Sequence, residues 1–155
     1  MSYYSASVLT ATLSSTTNDI MTIVPASGRI IQLIEFSVTG QGTASSAAQV
    51  NLSNITTAGV TGTGGITPLP LNPGYAPAAT AVVSTAWGTQ PVIGAIPTVP
   101  LGVNANGGIF RWVARPDEVI LAIGGLAAAL GWSIRCSTTG SGLYTVSVTW
   151  SENPF

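Results

Sequence analysis

Charged residues are scarce in this chain of 155 amino acids. It has four arginines, no lysine and five acidic residues, so 6% of its residues are charged and its net charge is −1. About 25% is usual for a soluble domain. Four cations cannot form the basic footprint that nucleic acid requires, so we expect no nucleic-acid partner.

The residues that most often perform catalysis or bind metals are also missing. Histidine is absent, which removes the commonest general base and the commonest metal ligand. Cys136 is the single cysteine, which excludes an intramolecular disulfide and a cysteine-cluster metal site. It falls on an apolar strand pattern, so we predict a core thiol rather than a nucleophile. We therefore expect no enzyme activity, no catalytic residues, no cofactor and no metal.

Neither the acidic residues nor the apolar runs suggest a site or a membrane span. Asp117 and Glu118 are adjacent, so on a strand they would point to opposite faces, and surface turn charges are the better interpretation. The longest apolar run, 119–132, is shorter than the roughly 18 to 20 residues of a spanning helix. The N-terminus has no basic or apolar run typical of a signal peptide. We expect no membrane partner.

Apolar and polar residues instead alternate in short stretches, as in half-buried β-strands. In 144–150, Tyr144, Val146, Val148 and Trp150 share one face. In the stretch 29–39, Ile34, Phe36 and Val38 are predicted to share a face. Eight strands are predicted, with a turn at 115–118 and one short helix-like stretch at 125–130. The strands are 7–13, 20–24, 29–39, 47–55, 108–114, 119–123, 132–136 and 144–150. Turn signals between them favour an all-β, jelly-roll-like antiparallel β-sandwich as one domain over 1–155.

The middle of the chain, 57–106, has a different composition. It holds seven of the ten prolines, and no formal charge occurs from Phe36 to Phe110. Proline removes hydrogen-bond donors from a sheet, so most of this region cannot be central strand. Its many apolar residues still require burial. Two interpretations remain open: an extended arm that packs on neighbouring subunits, or a long meander across its own sandwich.

The four tryptophans also allow two interpretations. Trp112, Trp132 and Trp150 alternate onto apolar strand faces, which favours core packing over sugar stacking. Trp87 lies in the 57–106 region and is the best candidate for an anchor in a partner's pocket. Tyr75, Ile93 and Ile96 are the other candidate partner-contact residues of this region.

Several stretches resemble small virion proteins of tailed bacteriophages, namely capsid decoration (cement) proteins and related structural proteins. The most telling are Gly107-Gly108-Ile109-Phe110-Arg111-Trp112-Val113-Ala114-Arg115-Pro116, with Val119-Ile120-Leu121, and the closing Tyr144-Thr145-Val146-Ser147-Val148-Thr149-Trp150-Ser151-Glu152. The stretch Arg29-Ile30-Ile31-Gln32-Leu33-Ile34-Glu35-Phe36 and the stretch 52–60 fit the same pattern. The resemblance is one of strand pattern and composition and covers most of 29–152.

The resemblance implies a jelly-roll-like domain, often a homotrimer, that sits on the outer capsid and clamps neighbouring major capsid subunits. We therefore expect a virion structural protein at the capsid surface, made in the host bacterial cytoplasm. Its partners would be the major capsid protein and its own copies. The alternative is a β domain of a head or tail fibre that binds a host glycan.

Overall fold

The chain folds entirely into β-strands and connections over the residues that the computed structural model describes, which are 1–59, 64–74, 77–115, 117–125 and 130–154. Among these residues no helix is long and apolar enough to cross a membrane. Within these ranges thirteen strands follow one another: β1 (Ser2–Leu13), β2 (Met21–Val24), β3 (Arg29–Gly40), β4 (Ala47–Thr57), β5 (Gly65–Ile66), β6 (Leu69–Pro70), β7 (Val82–Ser84), β8 (Val92–Ile93), β9 (Val99–Asn104), β10 (Ile109–Val113), β11 (Leu121–Ile123), β12 (Trp132–Thr138) and β13 (Gly140–Pro154).

Two antiparallel sheets form a sandwich, which confirms the predicted fold class and is compatible with a jelly roll. The first sheet has the order β10-β3-β13-β1-β6, and β11 pairs with β3 beyond the end of β10. The second sheet has the order β5-β7-β2-β12-β4-β8, and β9 also pairs with β4. The chain's beginning and end meet in the first sheet, because β1 and β13 pair from Ser2 opposite Glu152 to Leu13 opposite Gly140.

The core lies between the sheets and is built on large side chains. Tyr4, Phe36, Tyr144, Trp132 and Trp150 are all fully buried. The rings of Tyr4 and Trp150 are 6.2 Å apart at an interplanar angle of 33°. Trp112 is half-buried and packs against the same core. The prediction that three tryptophans serve the core is confirmed, because strand alternation directs each of them inward.

The predicted face of β3 is wrong at its centre. Leu33 and Phe36 are buried and Ile34 is half-buried, whereas the sequence pattern placed Ile34 with Phe36 and Val38. A β-bulge explains the difference, since Trp150 pairs with Leu33 and the preceding Thr149 pairs with Glu35, which leaves Ile34 as an extra residue. A strict period of two cannot continue through a bulge.

Much of the region 57–106 forms a meander on its own sandwich, while Leu71, Val92 and Ile96 remain exposed. Its five short strands, β5 to β9, pair with β7, β1, β2 and β4. Val83, Val99 and Val103 from this region are buried in the core. Pro70 and Pro100 are the prolines within these strands, and they are accommodated because β6 and β9 lie at sheet edges.

At the predicted turn 115–118, the Glu118 amide donates a hydrogen bond to the Arg115 carbonyl at 3.0 Å, as a turn requires, and Pro116 lies outside the described residues. Beyond it, strand pairing begins at Leu121 rather than Val119. The helix-like prediction at 125–130 falls largely on 126–129, outside the described residues.

Candidate functional site

The two outer faces of the sandwich differ in what covers them. In the second sheet, β7 lies next to β2 at one side and β8 lies next to β4 at the other. The connection between β7 and β8, residues 85–91, therefore crosses over β2, β12 and β4; we call it the crossing segment. Beneath it the outward side chains of Thr22, Ser53 and Ser133 are buried.

A buried ion pair fastens the crossing segment to the sheet. The side chain of Asp19 is 0% exposed and pairs with Arg135 through Oδ1 and Nε. The same Oδ1 accepts a hydrogen bond from the Ser133 hydroxyl at 2.5 Å. Arg135 Nη2 donates to the Pro91 carbonyl at 2.6 Å, and the Asp19 amide donates to Gln90 Oε1 at 3.1 Å. The ion pair joins Asp19 to β12, and the hydrogen bonds to Gln90 and Pro91 attach the crossing segment to both residues of the pair.

A polar groove of about 420 Å³ opens beside the ion pair. The second half of β1, the loop between β1 and β2 and the crossing segment form its walls, and its lining includes Val8, Thr12, Ser14, Asn18, Trp87 and Gln90. Asp19 Oδ2 is buried and has no hydrogen-bond partner among the described residues. Because the Asp19 side chain is 0% exposed, this oxygen is enclosed behind the groove wall and does not face the groove.

Trp87 lies between this groove and a second, apolar cavity. The second cavity, about 220 Å³, is lined by Val24, Ile55, Ala58, Gly59, Val82, Ser84, Trp87 and Leu130. Gly59 is necessary beside the indole, because a Cβ there would lie 3.0 Å from Trp87 Cε3 and 2.3 Å from the Thr89 carbonyl oxygen. The indole Nε1 is buried and has no hydrogen-bond partner among the described residues.

The outer face of the first sheet is open by contrast. The strand order places no described connection across it. Register aligns Arg111, Ser37, Ser147 and Ser7 in one row across four strands, and Ser7 and Ser147 share a hydrogen bond of 2.8 Å. We call this surface the serine-threonine face, because Ser5, Ser7, Ser37, Thr39, Thr145, Ser147 and Thr149 make up its centre.

Among the residues that the structure describes, the charges on the serine-threonine face form one loose pair. Arg111 Nε lies 3.9 Å from Glu35 Oε1, with both side chains partly exposed. Apolar side chains line the edge formed by β10 and β11: Ile109 is 68% exposed, Val113 42% and Leu121 37%. Small uncharged side chains beside an apolar edge suit a large protein contact, because little polar surface loses strong hydration.

The candidate partner-contact residues lie elsewhere. Trp87 is half-buried in the crossing segment, Ile93 is half-buried in β8, and Ile96 is 84% exposed in the turn that follows. All three belong to the second sheet's side, so the structure does not bring them to the serine-threonine face. Tyr75 lies outside the described residues.

The serine-threonine face and the ion pair were missed from the sequence. A usable signal for the face was present, since Thr145, Ser147 and Thr149 alternate with core residues in the clearest strand. For Asp19 no local signal exists, because its partners Ser133 and Arg135 are more than one hundred residues away.

Cys136 is a buried thiol, as predicted. Its Sγ donates a hydrogen bond to the Ser15 carbonyl at 2.8 Å. Burial raises the pKa of the thiol above its ordinary value of 9.0, and the contact with the Ser15 backbone opposes that rise. A protonated, covered thiol is a poor nucleophile.

No family model matches the chain, and neither the curated proteins nor the solved structures contain a match. Within the described part of the chain, no three cysteine or acidic side chains come together as a metal-binding group. The two features that stand out as candidate sites are the open serine-threonine face and the polar groove.

Proposed function

We propose that this chain is a structural protein of a phage particle, a decoration protein that binds the outside of the capsid and bridges neighbouring major capsid subunits. The observation that carries the proposal is the open serine-threonine face. One side of the sandwich is covered by the chain's own crossing segment, and the other presents a charge-poor surface with an apolar edge.

The composition of this face suits attachment to another protein. Desolvating Ser and Thr hydroxyls costs far less than desolvating lysine or carboxylate groups. Ile109, Val113 and Leu121 add apolar area, worth about 25 cal/mol for each Å² buried. The Arg111–Glu35 pair can fix orientation, because charges at a contact contribute more to specificity than to affinity.

The mechanism is one of mass action. A protein that binds the assembled shell but not its separated subunits stabilises the shell in proportion to its binding free energy. The resemblance to cement proteins also supports a homotrimer as the attached unit. Such a trimer would place three sandwiches around one axis, so that each can contact a different capsid subunit.

The test begins with particles that carry the protein. The decoration protein is stripped off, and the temperature of genome release is measured before stripping, after it, and after purified protein is added back. We expect stripping to lower the temperature and addition to restore it. An unchanged temperature in stripped particles would overturn the cementing function.

A charge variant tests whether shell binding depends on the serine-threonine face. Ser147→Arg places a cation in the middle of the serine-threonine face, where Ser7 and Ser37 are its neighbours. We expect it to fold, and to lose shell binding by about tenfold or more. The matched control is Thr17→Arg, in the exposed loop before β2, which should bind the shell like the unmodified protein.

A further inference from the structure

We propose that β10 pairs with the β10 strand of a second copy of this chain, so that the first sheets of two copies join edge to edge. The contact has two-fold symmetry and therefore differs from the contacts of the proposed homotrimer. On a shell it would link copies that belong to neighbouring trimers. The inference goes beyond attachment to a capsid and does not depend on it.

The first reason is the open edge of β10. The strand pairs with β3 on one side, and no described strand lies on its other side. The Ala114 amide donates to the Ile34 carbonyl, so the alternate residues that bond to β3 are the even-numbered ones. The backbone amides and carbonyls of Ile109, Arg111 and Val113 therefore point away from the sheet. A row of such groups is a template for another strand.

The second reason is the pair of aromatic side chains on the inner side of β10. Phe110 and Trp112 pack against the core but are only half-buried, so each keeps exposed surface at this side of the sandwich. The inward side chains of an added strand would cover that surface. A second β10 brings aromatic side chains to these positions, and aromatic pairs across neighbouring strands stabilise a sheet. This self-complementarity favours a second copy as the occupant.

Charge excludes two of the symmetric registers. Pairing centred on Arg111 would place the two copies of this arginine directly opposite each other. Pairing centred on Val113 would place Arg111 opposite Arg115 of the second copy. Like charges in opposite positions destabilise a sheet, so neither register is favoured.

Backbone shape and side-chain packing decide between the remaining two registers. Pairing centred on Phe110 would extend only over 109–111, because Gly108 has a φ of +81° and leaves the extended conformation. Pairing centred on Trp112 extends over 110–114. It places the two Trp112 side chains opposite each other in a non-hydrogen-bonded pair, where side chains approach most closely. We therefore assign the register centred on Trp112.

This register is also complementary in charge. Arg111 then lies opposite Val113 of the second copy, and Val113 pairs with Glu35 of its own β3. Arg111 and the second copy's Glu35 thus share one row on the outer face, with their Cα atoms two strand spacings, or about 10 Å, apart. Both side chains are partly exposed and their pair within one copy is loose, so both can turn toward the contact. The symmetry repeats this attraction.

The contact is small, because only 110–114 of each copy are paired. Small interfaces are typical of weak association, so we expect a dissociation constant between micromolar and millimolar. Copies already held side by side on a shell would pair more completely, since attachment raises their effective concentration.

The experiment is sedimentation equilibrium of the purified chain from micromolar to millimolar concentration. We expect an even number of copies at the upper end. Val113→Pro removes an amide that points away from β3, so it deletes a donor from each half of the contact and should weaken association by about tenfold or more. Val113→Thr keeps the amide and is the control. A chain that stays monomeric or stops at an odd number of copies, or association that Val113→Pro leaves unchanged, would overturn the proposal.

Charge reversal tests the register and remains informative if Val113→Pro does not fold. Arg111→Glu places carboxylates on both sides of the contact and should weaken association, because the attraction to the second copy's Glu35 becomes repulsion. Combining it with Glu35→Arg reverses both charges and should restore association. A double variant that does not regain it would overturn the register. Neither measurement involves a capsid, so a failure here is distinct from a failure of the cementing function.

Discussion

The carboxylate of Glu152, near the end of β13, accepts hydrogen bonds from both the amide and the hydroxyl of Thr80 at 2.9 and 2.8 Å. Its other oxygen accepts the Ala81 amide and the Trp150 indole N–H, each at 3.1 Å. Glu152 is only 7% exposed. One carboxylate therefore joins the meander just before β7 to the final strand and to a core tryptophan.

Glu152→Gln should destabilise the protein by about 1–3 kcal/mol. The amide keeps the shape but turns one acceptor into a donor that faces N–H or O–H groups, so buried donors lose their partner. The measurement is the midpoint of urea unfolding. Glu118→Gln, at the turn after β10, is the matched control and should leave the midpoint within about 0.5 kcal/mol of the original. Equal effects of the two variants would contradict the role given to Glu152.

The Asp19–Arg135 pair leads to a prediction about coupling. Arg135→Met should cost about 3–5 kcal/mol, because it leaves the buried Asp19 carboxylate without its cation. Asp19→Asn should also destabilise, since Arg135 then lacks its anion. In the double variant neither charge remains, so the loss should be smaller than the sum of the two single losses. Denaturant unfolding of all four proteins measures this difference.

Strict additivity in that cycle would show that the two side chains do not interact. Leu121→Met with Asp19→Asn is a suitable control pair. Leu121 lies in the first sheet on β11, far from the ion pair in strand order, so its effect should add to that of Asp19 within about 0.5 kcal/mol.

The bulge in β3 yields a matched pair of neighbouring substitutions. Leu33→Ala should cost about 2–5 kcal/mol, because it opens a cavity in the core. Ile34→Ala removes a half-buried side chain and should cost about 1 kcal/mol. Thermal or urea unfolding distinguishes them. The reverse order of the two losses would contradict the bulge and favour the uninterrupted alternation.

The sequence was sufficient for the strands that have long, regular alternation. Residues 144–150 show it clearly, and Tyr144, Val146, Val148 and Trp150 are indeed buried. Such a pattern predicts a strand because it needs no information from distant residues. The β5 to β9 strands could not be found this way, since each has few residues and gains its pairing from partners far along the chain.

The candidate site was less predictable for the same reason. Trp87 stood out as an aromatic residue in a proline-rich region, and it does line the groove. What places the groove around it is the passage of 85–91 from one side of the second sheet to the other, which depends on strand order. Asp19 is buried beneath that segment, and Glu152 is buried by the connection just before β7. No pattern in the neighbours of either residue indicates its burial.

The Cys136 thiol connects stability to pH. Burial raises its pKa in the folded protein, so the unfolded chain loses the proton first, near the ordinary value of 9.0. The stabilisation from the protonated thiol is therefore fully present below that pH and is lost as pH rises through the folded-state pKa. The unfolding free energy, measured on both sides of pH 9, should fall more steeply with rising pH for the unmodified protein than for Cys136→Ala. The variant is a suitable control because it retains all four tyrosines, which also titrate in alkaline solution.

The rate at which Cys136 reacts with a thiol reagent is an independent measure of its burial. Reaction with a disulfide reagent at pH 8 should be slow in the folded protein and fast in urea, because the folded thiol is covered and protonated. Free Cys in a short peptide of the same local sequence is the control for intrinsic reactivity. A folded-state rate equal to that of the peptide would show that the Ser15 carbonyl and the core do not enclose Cys136. In that case the unfolding free energies of the unmodified protein and Cys136→Ala should also depend on pH in the same way.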